Sequence, residues 1–226
     1  MSHASAPVAL ARASPGASRA SNVSRPRAAA ASRALRAPRR RARVVAPRAL
    51  GDDVSDAALL KETTKKIREC ARRGAAAAAV DLLVSLGRSG ATPDALATSA
   101  CISACVNGKN VELARRVYDE IFEKGVAMPD EVAVAEMAKG YLSLDPPGWG
   151  SAMAVVNGAR DKHGIELTSV TYNVLLNCCA ASNDLARAEE IIDRMVDEDV
   201  EPDMWTIRAV EKRRSIRSYV KKQLLV

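Results

Sequence analysis

Large rings and histidines are scarce in this chain of 226 residues. Aromatic side chains make up 3% of the sequence, and the two histidines are His3 and His163. An apolar fraction supplied mainly by Ala, Val, Leu and Ile suits helices whose backbones approach closely. No histidine is placed to activate a nucleophile, and no Gly-rich phosphate loop is present. The sequence therefore predicts a protein that is not an enzyme and that uses no cofactor.

Cysteines and long apolar runs are also too few for a disulfide-bonded secreted protein, a zinc protein or a membrane protein. The five cysteines are an odd number without the spacing of a secreted disulfide framework, which favours a reducing compartment. Cys101 and Cys105 lie one helical turn apart, but the sequence offers no second pair of ligands, so no metal site is predicted. No uncharged apolar run approaches the roughly 18 residues that a membrane helix needs, so we expect a soluble protein.

The positive charge is concentrated at the amino terminus. Residues 1–50 hold eleven Arg and no acidic residue, whereas residues 51–226 hold 23 basic and 27 acidic ones. An Arg- and Ser-rich, acid-poor start that changes to patterned sequence near Asp52 is typical of an organellar transit peptide. The favoured destination is the chloroplast, with the mitochondrion as the alternative, because the two kinds of leader overlap in composition. The other interpretation of residues 1–50 is a disordered basic arm that binds nucleic acid by charge.

A dipeptide recurs at a nearly constant spacing after this leader. The first two copies of Pro-Asp are 36 residues apart, and the last two are 73 apart, close to two further periods. They stand at Pro93-Asp94, Pro129-Asp130 and Pro202-Asp203. A period in this range indicates a solenoid of stacked repeats. The frame defines four units of 35, 36, 38 and 35 residues: Leu60–Asp94, Ala95–Asp130, Glu131–Thr168 and Ser169–Asp203.

Equivalent places in the four units share their chemistry. An Ala recurs in the second half of each unit, and apolar side chains follow it at helical spacing. Gly74, Gly108 and Asn183 mark the joint between the two halves, where a left-handed residue costs little. We therefore predict an all-α solenoid of helix-turn-helix hairpins over residues 51–203. A basic capping helix over residues 204–226, which a break near Ser215 would divide, is predicted to follow. The recurring residues are Ala79, Ala114, Ala152 and Ala188, then Leu83, Tyr118, Val156 and Ile192, then Leu86, Ile121 and Met195.

The third unit departs from this pattern in two respects. The segment Asp145-Pro146-Pro147-Gly148 lengthens its inner turn, because Pro cannot continue a helix and restricts the residue before it. The unit also ends in Leu167-Thr168 instead of Pro-Asp. We expect this unit to be the least regular of the four.

The fourth unit carries a family resemblance. A 35-residue hairpin with Val170-Thr171-Tyr172-Asn173, Ala188, Met195 and a closing Pro202-Asp203 resembles the pentatricopeptide repeat. The resemblance covers residues 60–203. The related tetratricopeptide repeat binds peptides, has about 34 residues, and carries a Trp-Leu-Gly-Tyr pattern that is absent here.

The resemblance implies a groove that binds single-stranded organellar RNA, with each unit facing one nucleotide. In this family the fifth and last residues of a unit read the base edge, and the second residue is wedged between bases. The base readers would be Thr64 with Asp94, Ser99 with Asp130, and Asn173 with Asp203, and the wedges would be Leu96, Val132 and Val170. In the third unit, Ala135 and Thr168 replace the reading pair, so no base preference is expected there. The implied target is G, G, any base and U, from 5′ to 3′.

Basic residues gather at the two ends of the repeat region, which itself is acidic. The segment from Asp52 to Asp203 holds 16 basic and 26 acidic residues, whereas residues 204–226 carry a charge of +6. Phosphate contacts supply much of the affinity in RNA binding, so the ends are expected to anchor it. The alternative is that both basic clusters are solvated helix faces. The predicted phosphate-binding residues are Lys61, Lys65, Arg72, Arg208 and Lys212.

Two interpretations of the function remain open at this stage. One is an RNA-binding protein that influences processing, stability or translation of an organellar transcript, extended by a protein partner or by self-association. The other is a protein–protein adaptor that uses the same groove, which the acidic repeat region favours. Trp149 and Trp205 are interpreted as packing residues, with base stacking as the alternative.

Overall fold

The computed structural model describes residues 50–224, and side chains from Asp56 onward. The predicted transit peptide, residues 1–50, lies outside the described residues except for Leu50. Between residues 50 and 224 the chain forms ten α-helices and no strand, so the predicted all-α fold is confirmed. None of these helices is long and apolar enough to cross a membrane. The helices are α1 Leu50–Arg73, α2 Ala76–Arg88, α3 Ala95–Asn107, α4 Val111–Tyr118, α5 Glu131–Leu142, α6 Trp149–His163, α7 Ser169–Ser182, α8 Leu185–Asp197, α9 Met204–Val210 and α10 Arg214–Leu224.

Consecutive helices pair as hairpins, and the hairpins stack. The odd-numbered helices contact one another in chain order and form one layer of a solenoid, while the even-numbered helices pack behind them. The recurring Ala residues of the even-numbered helices are completely buried, which lets these helices approach their partners. They are Ala79, Ala114, Ala152 and Ala188.

The predicted terminal helix is divided into two. The helices α9 and α10 are separated by residues 211–213 and make a fifth hairpin. Ile216 and Val220 of α10 are buried in the core of the last three hairpins. The Arg213 guanidinium donates to the carbonyl oxygens of Ala180 and Ala181, which satisfies acceptors at the end of α7. The last hairpin therefore both caps the stack and continues its two layers.

The closing Asp of a unit begins the first helix of the next unit. Asp94, Asp130 and Asp203 are the N-cap residues of α3, α5 and α9, and each carboxylate accepts from the backbone N–H three residues later, at 2.7, 2.8 and 2.8 Å. Helix α7 is capped by Thr168, whose Oγ1 accepts from the Val170 N–H at 3.3 Å. Since an N-cap supplies about 1 kcal/mol to a helix, the Pro-Asp ending is a helix start signal as well as a repeat boundary.

The extra residue of the second unit is absorbed in its second helix. After Tyr118 the helix α4 continues as one π-helical turn, Asp119–Glu123, which contains one residue more than an α-helical turn needs. The predicted apolar stripe placed Ile121 in the core, but Ile121 is only partly buried, and Phe122 occupies the buried position. The π-helical turn shifts the buried face by one residue, which is why the α-helical period failed there.

The joints between paired helices also differ from one unit to the next. Gly74 and Asn183 adopt the left-handed conformation as predicted, but in the second unit this conformation belongs to Lys109. Gly108 has a negative φ and serves another purpose: a Cβ there would lie 2.5 Å from the carbonyl oxygen of Gly74. Two adjacent hairpins thus approach through backbone atoms at this point.

Replacing Gly108 by Ala is expected to destabilise the solenoid, because the added methyl group meets backbone rather than a mobile side chain. Overpacking of this kind costs roughly 1–3 kcal/mol. Gly158→Ala in α6 is the matched control: a Cβ there has nothing within 4 Å, so the variant should gain roughly 0.5–1 kcal/mol. Urea unfolding followed by circular dichroism measures both changes, and equal midpoints for the two variants would refute the close-approach argument.

Candidate nucleic-acid interface

The second unit brings its two predicted base readers together. Ser99, which is buried in α3, donates from Oγ to the Ala95 carbonyl oxygen at 2.8 Å and also lies 3.4 Å from Asp130 Oδ2. Asp130 Oδ1 is already occupied by the Ala133 N–H. One carboxylate oxygen therefore fixes the next helix, and the other faces the reader of its own unit.

The fourth unit makes more hydrogen bonds, and here the oxygen that caps the next helix, Asp203 Oδ1, also accepts from the predicted reader. Asn173 Nδ2 donates to Asp203 Oδ1 at 3.0 Å, and Ser169 Oγ donates to Asp203 Oδ2 at 3.0 Å. Thr206 donates to Oδ1 from both its backbone N–H and its hydroxyl. Burial alone would raise the pKa of Asp203, but the hydrogen bonds from Thr206, Asn173 and Ser169 lower it to about 2. The carboxylate is therefore ionised and accepts hydrogen bonds at neutral pH.

Asn173 retains one unused hydrogen-bonding atom. Its side chain is buried, and its Oδ1 has no hydrogen-bond partner among the described residues. Buried polar atoms are nearly always satisfied, so this acceptor is an exception among the described residues. The hydrogen bond to Asp203 orients the amide through its Nδ2 and leaves Oδ1 unpaired.

The first unit joins its reader pair through a shared cavity. Thr64 donates its hydroxyl to the Leu60 carbonyl oxygen at 2.7 Å, and no hydrogen bond connects it with Asp94 in the described part of the chain. Both residues line a cavity of about 730 Å³, together with Lys61, Lys65 and Arg68. With Glu62, which also lines it, the recess holds one hydroxyl, two carboxylates and three cations.

The third unit replaces the reading pair with a structural contact. Ala135 is buried and Thr168 is exposed. The carboxylate of Glu131 accepts from the backbone N–H of Thr168 at 2.8 Å and from the Thr171 hydroxyl at 3.0 Å. Glu131 thus supplies, from the first place of the unit, the acceptor that Asp provides elsewhere. The sequence does not indicate this role of Glu131, because nothing in the repeat pattern marks a contact across 37 positions.

The predicted wedge residues form a row with matching exposure. Leu96, Val132 and Val170 are 47%, 51% and 47% exposed, although the units that they belong to differ in length. The same place in the fifth hairpin holds Trp205, which is 54% exposed. The interpretation of Trp205 as a packing residue therefore does not hold, whereas Trp149 is partly buried and packs against the core beneath Arg187.

The predicted phosphate-binding residues differ in how far other side chains already engage them. Lys61 and Lys65 are exposed, and no ion pair of either is found among the described residues. Arg72 is paired with Glu69, which also binds Arg73, so it is the least available of the set. At the other end, Lys212 is exposed, and the Arg208 guanidinium lies over the Trp205 ring, 5.2 Å from its centroid.

The cysteines contribute to the core and not to a site. Cys101, Cys105 and Cys179 are completely buried, and burial raises the pKa of Cys179 to about 12. Such a thiol stays protonated and behaves as a small apolar side chain. Within the described residues no three His, Cys, Asp or Glu side chains gather in a way that could hold a metal ion.

Two models of known protein families match parts of the chain that carry this geometry. The sequence model of the PPR repeat family matches residues 167–210, and that of the PPR repeat matches residues 97–126. The first match runs through the pair of Asn173 and Asp203 and continues into α9. The chain contains pentatricopeptide repeats (PPR).

Known proteins resemble this PPR protein over different parts of its length. Small ribosomal subunit protein mL103 (rPPR7) of Arabidopsis thaliana is 24% identical over 115 residues, which are 50% of this chain and 27% of the relative. The crystal structure of the PPR domain of Arabidopsis thaliana protein-only RNase P 1 in complex with tRNA superimposes with a TM-score of 0.56 at 15% identity, covering 73% of this chain and 89% of that one. The maize protein PPR10 gives a TM-score of 0.53 at 18% identity, covering 73% and 25%. These structural likenesses show the fold, and the chain spans about a quarter of the length of mL103 and of PPR10.

The Asp203 carboxylate should make the free energy of unfolding depend on pH in the acidic range. Its folded pKa of about 2 lies below the ordinary value of 3.8, so the ionised form stabilises the fold above pH 4, and this stabilisation is lost as the pH falls through 2. Asp203→Asn should therefore be less stable than the wild type at pH 5, by a difference that narrows towards pH 2. Urea unfolding at pH 2, 3, 4 and 5 measures this, and a difference that stays constant would contradict the hydrogen-bonding pattern.

Proposed function

We propose that this PPR protein binds single-stranded RNA along the layer of odd-numbered helices and acts in organellar RNA processing, stability or translation without catalysing a reaction. The observation that carries the proposal is the repeated association of a closing Asp with a reader. Asn173 donates to Asp203 at 3.0 Å, and Ser99 holds the equivalent place with its hydroxyl oxygen 3.4 Å from Asp130 Oδ2. The row of half-exposed apolar side chains beside them suits contact with base faces.

The reader pairs have the chemistry that their predicted bases require. The unpartnered Oδ1 of Asn173 is an acceptor, and uracil presents an N3–H donor where cytosine presents a lone pair. Guanine offers N–H donors to a carboxylate, whereas the ring nitrogen of adenine at that edge repels one, which favours guanine at the pairs of Ser99 with Asp130 and Thr64 with Asp94. The third unit has no reader, since Glu131 is engaged at α7. The proposed target is 5′-GGNU-3′.

Relatives support an RNA-related role and bear on the location. The PPR domain of protein-only RNase P 1 was crystallised with tRNA, and mL103 is a protein of the small ribosomal subunit. A role beside other RNA-binding proteins also fits the small number of units, because four bases are too few to select one transcript. We propose import into an organelle, and the likeness to mL103 favours the mitochondrion over the chloroplast.

An Asn173→Ser substitution should remove the preference for uridine at the fourth base. The variant pairs a hydroxyl with Asp203, as the second unit pairs Ser99 with Asp130, so guanosine should then be preferred there. The affinity for guanosine relative to uridine should change roughly tenfold, as expected for one good hydrogen-bond pair. Fluorescence anisotropy with ten-nucleotide RNAs that contain GGAU, GGAC or GGAG measures this. Ser99→Asn is the reciprocal variant, and Ala135→Ser in the readerless third unit is the control. An unchanged ranking of these three RNAs in Asn173→Ser would reject the assignment of the reader.

A salt titration separates the RNA-binding proposal from the adaptor alternative, which the charge of −10 between Asp52 and Asp203 favours. If the exposed cations at the two ends contact phosphates, affinity for a GGAU decamer should fall steeply with salt. The double variant Lys61→Gln and Lys65→Gln should reduce that slope by about two phosphate contacts while the preference for uridine persists. Absence of base-selective binding at low salt would leave the adaptor function.

A further inference from the structure

The fifth hairpin lies beyond the four predicted units, but it continues their geometry. We propose that α9 provides a site for a fifth nucleotide, in which the Trp205 indole stacks on a purine base directly 3′ to the uridine. This inference rests on the proposed RNA binding and extends it by one base. It follows from the register, exposure and charge of residues 204–213.

The register of α9 places Trp205 with the wedge residues. Each first helix begins directly after its capping residue, and the wedge is its second residue: Leu96 in α3, Val132 in α5 and Val170 in α7. Helix α9 begins at Met204 after the Asp203 cap, so its second residue is Trp205. The wedge row therefore ends in the side chain with the largest stacking surface in the chain.

The exposure of Trp205 argues against a role in the core. Helix α9 buries Thr206 and Val210 completely, and these residues supply its packing face. Met204 and Trp205 stay 70% and 54% exposed. A tryptophan kept for stability would bury its ring, whereas this ring has a large surface free for contact.

Charge and space beside the ring suit a nucleotide. Trp205, Arg208 and Lys212 line a cavity of about 820 Å³ together with Glu211 and with Asn177 of α7. The Asn177 amide donates to the Asn173 carbonyl oxygen at 2.8 Å, so this cavity is adjacent to the reader of the fourth unit. Arg213 is held by α7, which leaves Arg208 and Lys212 as the cations that can meet phosphate or base.

Arg208 determines which base suits this site. It is the fifth residue of its hairpin, the place that Ser99 and Asn173 hold in theirs. A guanidinium has only donors and matches the O6 and N7 acceptors of guanine. Its guanidinium carbon lies 5.2 Å from the centroid of the Trp205 ring, so the cation is already positioned next to the stacking surface. A purine, and guanine before adenine, is the base that uses both groups.

The test compares RNA decamers that carry GGAUG or GGAU followed by an abasic site, with the full-length chain. Both RNAs have the same number of phosphates, so the charge of residues 1–50 contributes equally to both. The wild type should bind the GGAUG decamer about tenfold more tightly, a difference of about 1.4 kcal/mol, as one stacked base supplies. Trp205→Ala should lose that difference and bind both decamers equally. Met204→Ala is the matched control and should keep it, since it removes the more exposed neighbour.

Two further variants refine the result. In a Trp149→Phe background Trp205 is the sole tryptophan, and its fluorescence should be quenched by the GGAUG decamer but not by the abasic one. Arg208→Lys keeps the positive charge but loses the planar guanidinium and its paired N–H donors. It should therefore bind GGAUG and GGAUA equally, whereas the wild type should prefer GGAUG.

Equal binding of both decamers by the wild type would overturn the fifth site, and if uridine is still preferred at the fourth position, the proposed function stands. Absence of any base preference would defeat the proposed function as well. If Trp205→Ala changes self-association in analytical ultracentrifugation but leaves the difference between the decamers intact, the indole is a protein contact and the inference is wrong.

Discussion

A carboxylate at the end of a repeat has to satisfy two neighbours at once in this protein. Asp130 and Asp203 use Oδ1 to cap the next first helix and present the carboxylate to the reader of the unit that they close. The cap fixes the orientation of the side chain, because the backbone N–H that it binds belongs to a rigid helix. The position of the next hairpin therefore sets the orientation of the carboxylate beside Ser99 or Asn173 in the previous one. Under the proposed function, this single group would couple stacking to base recognition.

The differences in length between the units are absorbed away from this closing carboxylate. The extra residue of the second unit is taken up by the π-helical turn Asp119–Glu123, and the longer third unit has a six-residue linker over residues 143–148. Both adjustments lie away from the starts of the odd-numbered helices. This is why Leu96, Val132 and Val170 retain nearly equal exposure. The third unit also keeps its stacking without a closing Asp, since Glu131 substitutes as the acceptor at α7.

The features that the sequence predicted are those that repeat. The Pro-Asp period and the buried Ala row predicted the hairpins and the side-chain contacts of Ser99 with Asp130 and of Asn173 with Asp203, because each rests on the same contact made several times. The features that it missed occur once. Phe122 replaces Ile121 in the core because one turn is π-helical, and Glu131 acts through a long side chain across an interface. A break of the terminal helix was expected near Ser215; it lies at residues 211–213, where no Gly or Pro marks it, and α10 then packs against α8.

In the proposed RNA complex, base selectivity and affinity would arise in different parts of the molecule. The readers Ser99 and Asn173 are buried, and the carboxylates beside them repel phosphate, so the middle of the groove can discriminate bases but adds little attraction. The exposed cations Lys61, Lys65 and Lys212 lie in the first and last hairpins, where a bound strand would enter and leave. A strand held mainly at its ends must span the whole layer to gain both contributions. Shorter RNAs would reach either the cations of one end or the readers, and this sets the minimum length of a useful ligand at the full row of hairpins.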